Sequence, residues 1–191
     1  MPRAAAVDPA IVARAKNLDV EAIAELYERF VDPMYRYFSL RINSPEDAED
    51  LTDQLFLKMI EALPTYKDRG APFAAWLYRI AHNLLVDRYR RAGREPVRVD
   101  DAIPATGRDA DPFAAAADAL SRESITRALA TLTEDQRDVI ILRLVEGWNV
   151  EETAVIMKRT AGAIHAVQHR AVYALRTALD GAGEEVGSGA G

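Results

Sequence analysis

Apolar residues recur along this chain at intervals of three and four, and nowhere does a two-residue alternation persist. That periodicity commits the chain to helices packed on helices, because a half-buried strand needs its apolar residues at every second position. The stretch after Asp19 is the clearest case, with Ile23, Leu26, Tyr27, Phe30, Met34, Tyr37 and Phe38 on one stripe. Composition agrees: hydrophobic residues make up 49% of the chain but aromatics only 7%, a balance that suits helix packing better than a sandwich or barrel. The expected fold class is all-α.

The periodic pattern collapses once in the body of the chain. Between Ala92 and Asp118 stand Gly93, Pro96, Pro104, Gly107 and Pro112 among acids and alanines. A patternless segment of that length reads as a flexible linker. It divides the chain into two small helical domains, 9–91 and 119–180, around a linker at 92–118. The Gly-rich end, 181–191, is expected to be a disordered tail.

Local signals place the helices. The first covers Pro9 to Asn17, and the second starts near Asp19, with Pro33 expected at a bend or break. Ser44 can cap a third, with Pro45 at its first position and Glu46 and Asp47 at the positive end of its dipole. Leu51, Leu55, Met59, Ile60 and Leu63 form its inward stripe, and Pro64 ends it. A loop from Thr65 to Pro72 leads to a long helix, Phe73 to Arg91, with Trp76, Leu77, Ile80, Ala81, Leu84 and Leu85 inward.

In the second half, a helix is expected from Ser121 to Ala130. Thr133 and Gln136 form a capping box for the next, which carries Val139, Ile140, Leu142, Leu144 and Val145 inward until Gly147 stops it. Asn149 caps a short helix, Val150 to Met157. Lys158 and Arg159 make a turn, and Thr160 caps a last helix from Ala161 to about Leu179, with Ile164, Val167, Ala171 and Leu175 inward. A short helix, a tight turn and a longer basic helix form the layout of a helix-turn-helix.

The formal net charge of −6 would oppose nucleic-acid binding if it were spread evenly, but it is not. Acids gather at Glu46 to Asp53 and at Asp100 to Asp118; bases gather at Arg79 to Arg94 and at Lys158 to Arg176. DNA responds to such local fields. The absence of cysteine excludes disulfides and thiolate metal sites. No apolar run approaches the ~20 residues needed to span a bilayer, and the N-terminus lacks a signal-peptide core. The reading is a cytoplasmic protein without membrane insertion.

Three surfaces carry chemistry. The last helix and its turn offer Lys158, Arg159, Thr160, Gly162, Ala163, His165, Ala166, His169 and Arg170. Small residues there let the backbone approach DNA, free N–H groups and bases suit phosphates, and His165 suits base edges. A plain solvated face would look similar. The second surface mixes Tyr66, Phe73 and Trp76 with Lys67, Arg69, Arg79, Asn83, Arg88, Arg90 and Arg91. Aromatics stack on unpaired bases while basic side chains hold the strand's backbone; equally, Phe73 and Trp76 suit a core. The third is an acidic helix presenting Asp47, Asp50, Gln54 and Lys58, which would repel DNA and suits a protein partner.

His165 and His169 stand four apart, as metal ligands can, but no third ligand is near them. No metal, cofactor or catalytic residue is expected. From these features alone, a DNA-binding factor that also docks on a protein partner, a dimeric helix-turn-helix regulator and, far behind, a metal-dependent helical enzyme all remain open.

Three stretches, in this order, resemble bacterial RNA polymerase sigma factors of the extracytoplasmic-function (ECF) type, in the sigma-70 family. They are Asp47-Ala48-Glu49-Asp50-Leu51-Thr52 through Phe56-Leu57, Phe73 through Asn83 continuing to Asp87-Arg88-Tyr89-Arg90-Arg91, and Leu132 through Leu179 with Gly162-Ala163-Ile164 and His169-Arg170-Ala171. The resemblance implies that Asp47, Asp50, Asp53, Gln54 and Lys58 bind the polymerase clamp. It implies that the loop from Tyr66 to Phe73, with Asn83, takes a flipped base of the −10 element, and that the helix from Thr160 reads the −35 element. The implied partners are core RNA polymerase, promoter DNA and an anti-sigma factor. The chain departs from the family pattern in the order Asp53-Gln54 and at His165, Val167 and Gln168.

Overall fold

The computed structural model describes residues 7–42, 44–68, 70–91 and 128–187, the last ten of these as backbone only. The linker expected at 92–118, most of the helix expected at 121–130, and Arg69 lie outside the described residues; of that helix, 128–130 are helical. The described residues form helices and no strand.

Helix α1 (Pro9–Lys16) begins at Asp8, whose carboxylate accepts from the Ala10 N–H at 2.9 Å. Leu18, at φ 60°, turns the chain into α2 (Val20–Ser39), capped by Asp19. Pro33 lies inside α2 and does not end it. A proline there removes one ladder hydrogen bond, but Phe30 and Met34, on either side of it, are both fully buried and pin the helix through the defect. Helix α3 (Pro45–Ala62) starts as its sequence dictates, with Ser44 Oγ accepting from the Asp47 N–H at 3.1 Å. A 3-10 turn, Leu63–Thr65, closes it.

Helix α4 (Phe73–Arg91) buries more than one stripe. Alongside Leu77, Ala81, Leu84 and Leu85, it buries Tyr78 and His82, because a second body covers its other side.

That body is the C-terminal domain. Helix α5 (Glu134–Ile140) carries the expected Thr133–Gln136 capping box. Buried Arg137 ties it to the preceding turn, donating to the carbonyls of Leu129, Ala130 and Leu132. The chain then widens into a π-helical turn, Ile141–Val145. One extra residue in the turn rotates the next part of the chain by about 100° relative to an α-helix. Leu144 and Val145, expected inward, therefore face solvent at 56% and 36% exposure, and Glu146 is buried at 4%. Gly147, at φ 76°, supplies the left-handed residue that ends the segment.

Asn149 caps α6 (Val150–Met157) with a reciprocal bond to Glu152. Helix α7 (Ala161–Gly187) comes next, and Thr160 Oγ1 accepts from the Ala163 N–H at its start. It runs past Leu179, where the sequence suggests an end, and its backbone stays helical to Gly187. Each glycine there costs about 1 kcal/mol against alanine, which extension of a formed helix can absorb.

The domains share a core. Val139, Ile141, Leu142, Trp148, Ile156 and Met157 belong to the same buried cluster as Phe30, Tyr37, Leu55 and Leu77. A smaller cluster, Leu129, Leu132, Ile140 and Ala171, fastens α7 to α5.

Candidate DNA and polymerase interfaces

Helix α3 buries Leu51, Leu55 and Met59 and thereby turns the opposite side to solvent. Asp50, Asp53, Gln54 and Lys58 are exposed on that side, and Asp47 is half-buried at its edge. Asp47 pairs with Arg88 of α4. Between the two helices runs a cleft of about 550 Å³ lined by Leu51, Gln54, Lys58, Leu84, Asp87, Arg88 and Arg91. The acidic helix and the basic end of α4, distinct surfaces in the sequence, thus meet along one groove.

The aromatic–basic surface is gathered around the start of α4. The rings of Tyr66, Phe73 and Trp76 form a mutual cluster with centroids 4.9 to 5.4 Å apart. Phe73 is a core residue at 6% exposure, and it also packs on Phe30. Trp76 is half-buried and Lys67 exposed. Tyr66, Lys67, Trp76 and Arg79 line a cleft of about 480 Å³ with Ala62, Thr65 and Ala71. Such a cleft offers a ring face and two cations, the combination that holds an unpaired base and its phosphate. Asn83 is half-buried further along α4, and Arg90 and Arg91 lie at its end, both exposed. These three lie outside the lining of that cleft.

On α7, Ile164 and Ala171 face inward. Gly162, His165, Ala166, His169 and Arg170 are exposed, as are Lys158, Arg159 and Thr160 in the turn, and Ala163 is half-buried. Lys158 adopts a left-handed conformation at φ 53°, which makes the turn tight. Arg159 reaches back to Asp135 at 2.8 Å. Gln168 is turned toward its own domain, where it accepts from Arg143 Nε at 3.2 Å. Among the described residues no group of acids and histidines could hold a metal ion, and no helix is long and apolar enough to cross a membrane.

Sequence reasoning missed a set of residues between the domains. Glu146 accepts a fork from Arg36 (3.1 to 3.2 Å) and a 2.5 Å hydrogen bond from the Tyr78 hydroxyl. Asp138 pairs with buried Arg41, accepts from Tyr37 at 3.5 Å, and lies 3.3 Å from His82 Nδ1. Trp148 packs edge-on against Tyr78, with centroids 5.1 Å apart. Burial raises Tyr37 to about 12, and burial with the Glu146 charge pushes Tyr78 up as well. Burial, seconded by the Arg41 charge, lowers His82 to about 4 and holds it neutral. The only sequence sign of this set is an acid, Asp138, directly before an apolar run.

Residues 26–95 match Sigma-70 region 2, and residues 128–177 match Sigma-70, region 4. The chain is 36% identical over 180 residues to the ECF RNA polymerase sigma factor SigD of Mycobacterium tuberculosis, covering 92% of this chain and 85% of SigD. It is 34% identical to ShbA of Streptomyces griseus, another ECF RNA polymerase sigma factor, over 87% of this chain and 92% of ShbA. Among solved structures, it is similar to CnrH in complex with the cytosolic domain of CnrY, with a TM-score of 0.68, 26% identity and coverage of 91% and 97% of the two chains. RpoE of Bartonella quintana, solved with the anti-sigma factor NepR, shares the fold with a TM-score of 0.65 at 24% identity, over 82% and 96% of the chains. With region 2 and region 4 in order and ECF relatives matching nearly its whole length, this chain belongs to the ECF RNA polymerase sigma factors of the sigma-70 family.

Proposed function

We propose a division of labour among three surfaces of this sigma factor. The exposed side of α3, with Asp47, Asp50, Asp53, Gln54 and Lys58, binds core RNA polymerase. The cleft of Tyr66, Lys67, Trp76 and Arg79 receives an unpaired base of the −10 element, with Arg88, Arg90 and Arg91 holding the strand beyond it. The turn and outer face of α7, with Lys158, Arg159, Thr160, His165, His169 and Arg170, read the −35 element. Phe73, being buried, supports the cleft and does not touch DNA. Arg69 belongs to the same loop in sequence.

The observation that carries this reading is the cleft itself. A half-buried indole sits there beside two cations on a surface that a folded core alone does not require. The acidic α3 adds a reason to bind protein, since it repels DNA. Relatives solved with CnrY and NepR suggest that a protein partner of that kind also binds this chain.

Capture of core polymerase on the immobilised chain tests the first assignment. Asp50→Lys should abolish capture, and Trp76→Ala should leave capture intact while reducing strand opening. A dimeric regulator would instead footprint a palindromic operator without polymerase.

A further inference from the structure

The inward stripe of α7 has one polar member. Ile164, Gln168, Ala171 and Leu175 follow one another at intervals of four and three, the spacing of a single helix face. Ile164 and Ala171 are buried, Leu175 packs with Ala171, and Gln168 is half-buried between them. An amide drawn into an apolar seam is unfavourable unless it is hydrogen-bonded. Its partner is Arg143, whose Nε donates to Gln168 Oε1 at 3.2 Å.

Arg143 reaches further. It stands half-buried in the π-helical turn and also donates through Nη1 to the carbonyl of Trp148. The Trp148 N–H in turn donates to the Leu142 carbonyl at 2.9 Å. Trp148 directly precedes Asn149, the cap of α6. One guanidinium thus joins the entry of α6 to the middle of α7, the two helices of the helix-turn-helix. Ile156, Met157 and Ile164 supply apolar packing in the same domain. Apolar burial is non-directional, whereas a hydrogen bond holds only over a narrow range of distance and angle.

We propose that Gln168 is a positioning residue for −35 recognition. Through Arg143 it fixes the setting of α7 against α6, and with it the aim of His165 and His169, which are exposed on the outer face. Gln168 does not itself read a base, since its acceptor is turned inward to Arg143. The inference rests on α7 being the reader of the −35 element, as in the proposed function.

A lone polar residue in an apolar seam fixes register at a cost in stability. In a helix-turn-helix the first helix crosses the DNA backbone, while the N-terminal part of the second enters the major groove. A small rotation of α7 on α6 therefore moves His165 and His169 off their bases. Phosphate contacts from the turn, at Lys158 and Arg159, carry no sequence information and tolerate it better. Loss of the Gln168 contact should thus lower sequence discrimination and leave stability and salt dependence unchanged. A contact that only stabilises the domain would do the reverse.

Holoenzyme assembled from the full chain and core polymerase is titrated against a promoter that it transcribes, and against single-base variants across the upstream element. The parent should lose about tenfold in affinity at each base pair that it reads. Gln168→Leu, which makes the seam wholly apolar, should reduce that loss to about threefold at every such position, with the thermal midpoint and salt slope of the parent. Gln168→Glu keeps an acceptor for Arg143 and should keep the parent's discrimination. Arg143→Met should relax discrimination as Gln168→Leu does, and the two together no further than either alone, because they remove one contact.

Discrimination by Gln168→Leu equal to the parent's would overturn the positioning role, whether or not its thermal midpoint falls. A loss confined to one base pair, and shared by Gln168→Glu, would overturn it in favour of a direct base contact. A parent that discriminates nowhere in the upstream element would overturn the reading of that element by α7, and the positioning role with it.

Discussion

The Tyr78 hydroxyl, on the long helix of the first domain, donates a 2.5 Å hydrogen bond to the buried carboxylate of Glu146 in the second. Arg36 holds the same carboxylate from the other side. A buried carboxylate with one neutral and one charged donor is well satisfied, and removing either leaves it short. Tyr78→Phe should therefore destabilise the chain by about 1–3 kcal/mol. Urea denaturation read by circular dichroism measures this, and an unchanged midpoint would mean that the hydroxyl contributes nothing across the contact.

Trp148 is 2% exposed and packs on Tyr78. Trp148→Ala would open a cavity where both domains meet and should cost roughly 3–5 kcal/mol. Trp148→Phe keeps a ring against Tyr78 and should cost less than half as much. Denaturation curves of the two variants check the order, and equal losses would contradict it.

His82 is held neutral, its pKa lowered from 6.5 to about 4, because burial outweighs all else and the nearest carboxylate, Asp138, is already committed to Arg41. A histidine with a depressed folded pKa binds fewer protons folded than unfolded between those values. Stability therefore falls as pH drops from 6.5 toward 4, by at most roughly 3 kcal/mol. His82→Gln should flatten that part of the pH–stability curve. A slope equal to that of the parent protein would assign the acid sensitivity to other groups.

Arg159 is half exposed and engaged with Asp135. As a phosphate contact it must leave that carboxylate. Arg159→Ala should weaken holoenzyme binding to a promoter fragment and lower the salt slope by about 1. Asp135→Asn should act in the opposite direction, strengthening binding up to about fivefold at low salt, the range of an exposed pair. Titrations at several salt concentrations separate the two, and identical slopes in all three proteins would remove Arg159 from the interface.

The helices were legible in the sequence because their signals are local. Ser44, Thr133, Asn149 and Thr160 each cap the helix after them, and Gly147 takes the left-handed conformation that ends its segment. The exposed sides of α3 and α7 are set by the apolar stripes opposite them. The packing of the two domains on each other was not legible, because Arg36 and Glu146 stand 110 residues apart across a segment with no pattern. Arg41 and Asp138 read as surface charges when each is seen with its neighbours alone. The π-helical turn escaped for another reason: a single wide turn leaves no compositional mark, yet it exchanges the sides of Leu144 and Glu146.

As an ECF sigma factor, this chain directs core RNA polymerase to promoters. Run-off transcription with purified core polymerase on a promoter library tests it most directly. Discrete transcripts, from templates sharing two spaced elements, should appear only when chain and core are both present, and should be lost with Asp50→Lys. Transcripts that do not depend on the chain, or none with both components present, would contradict it.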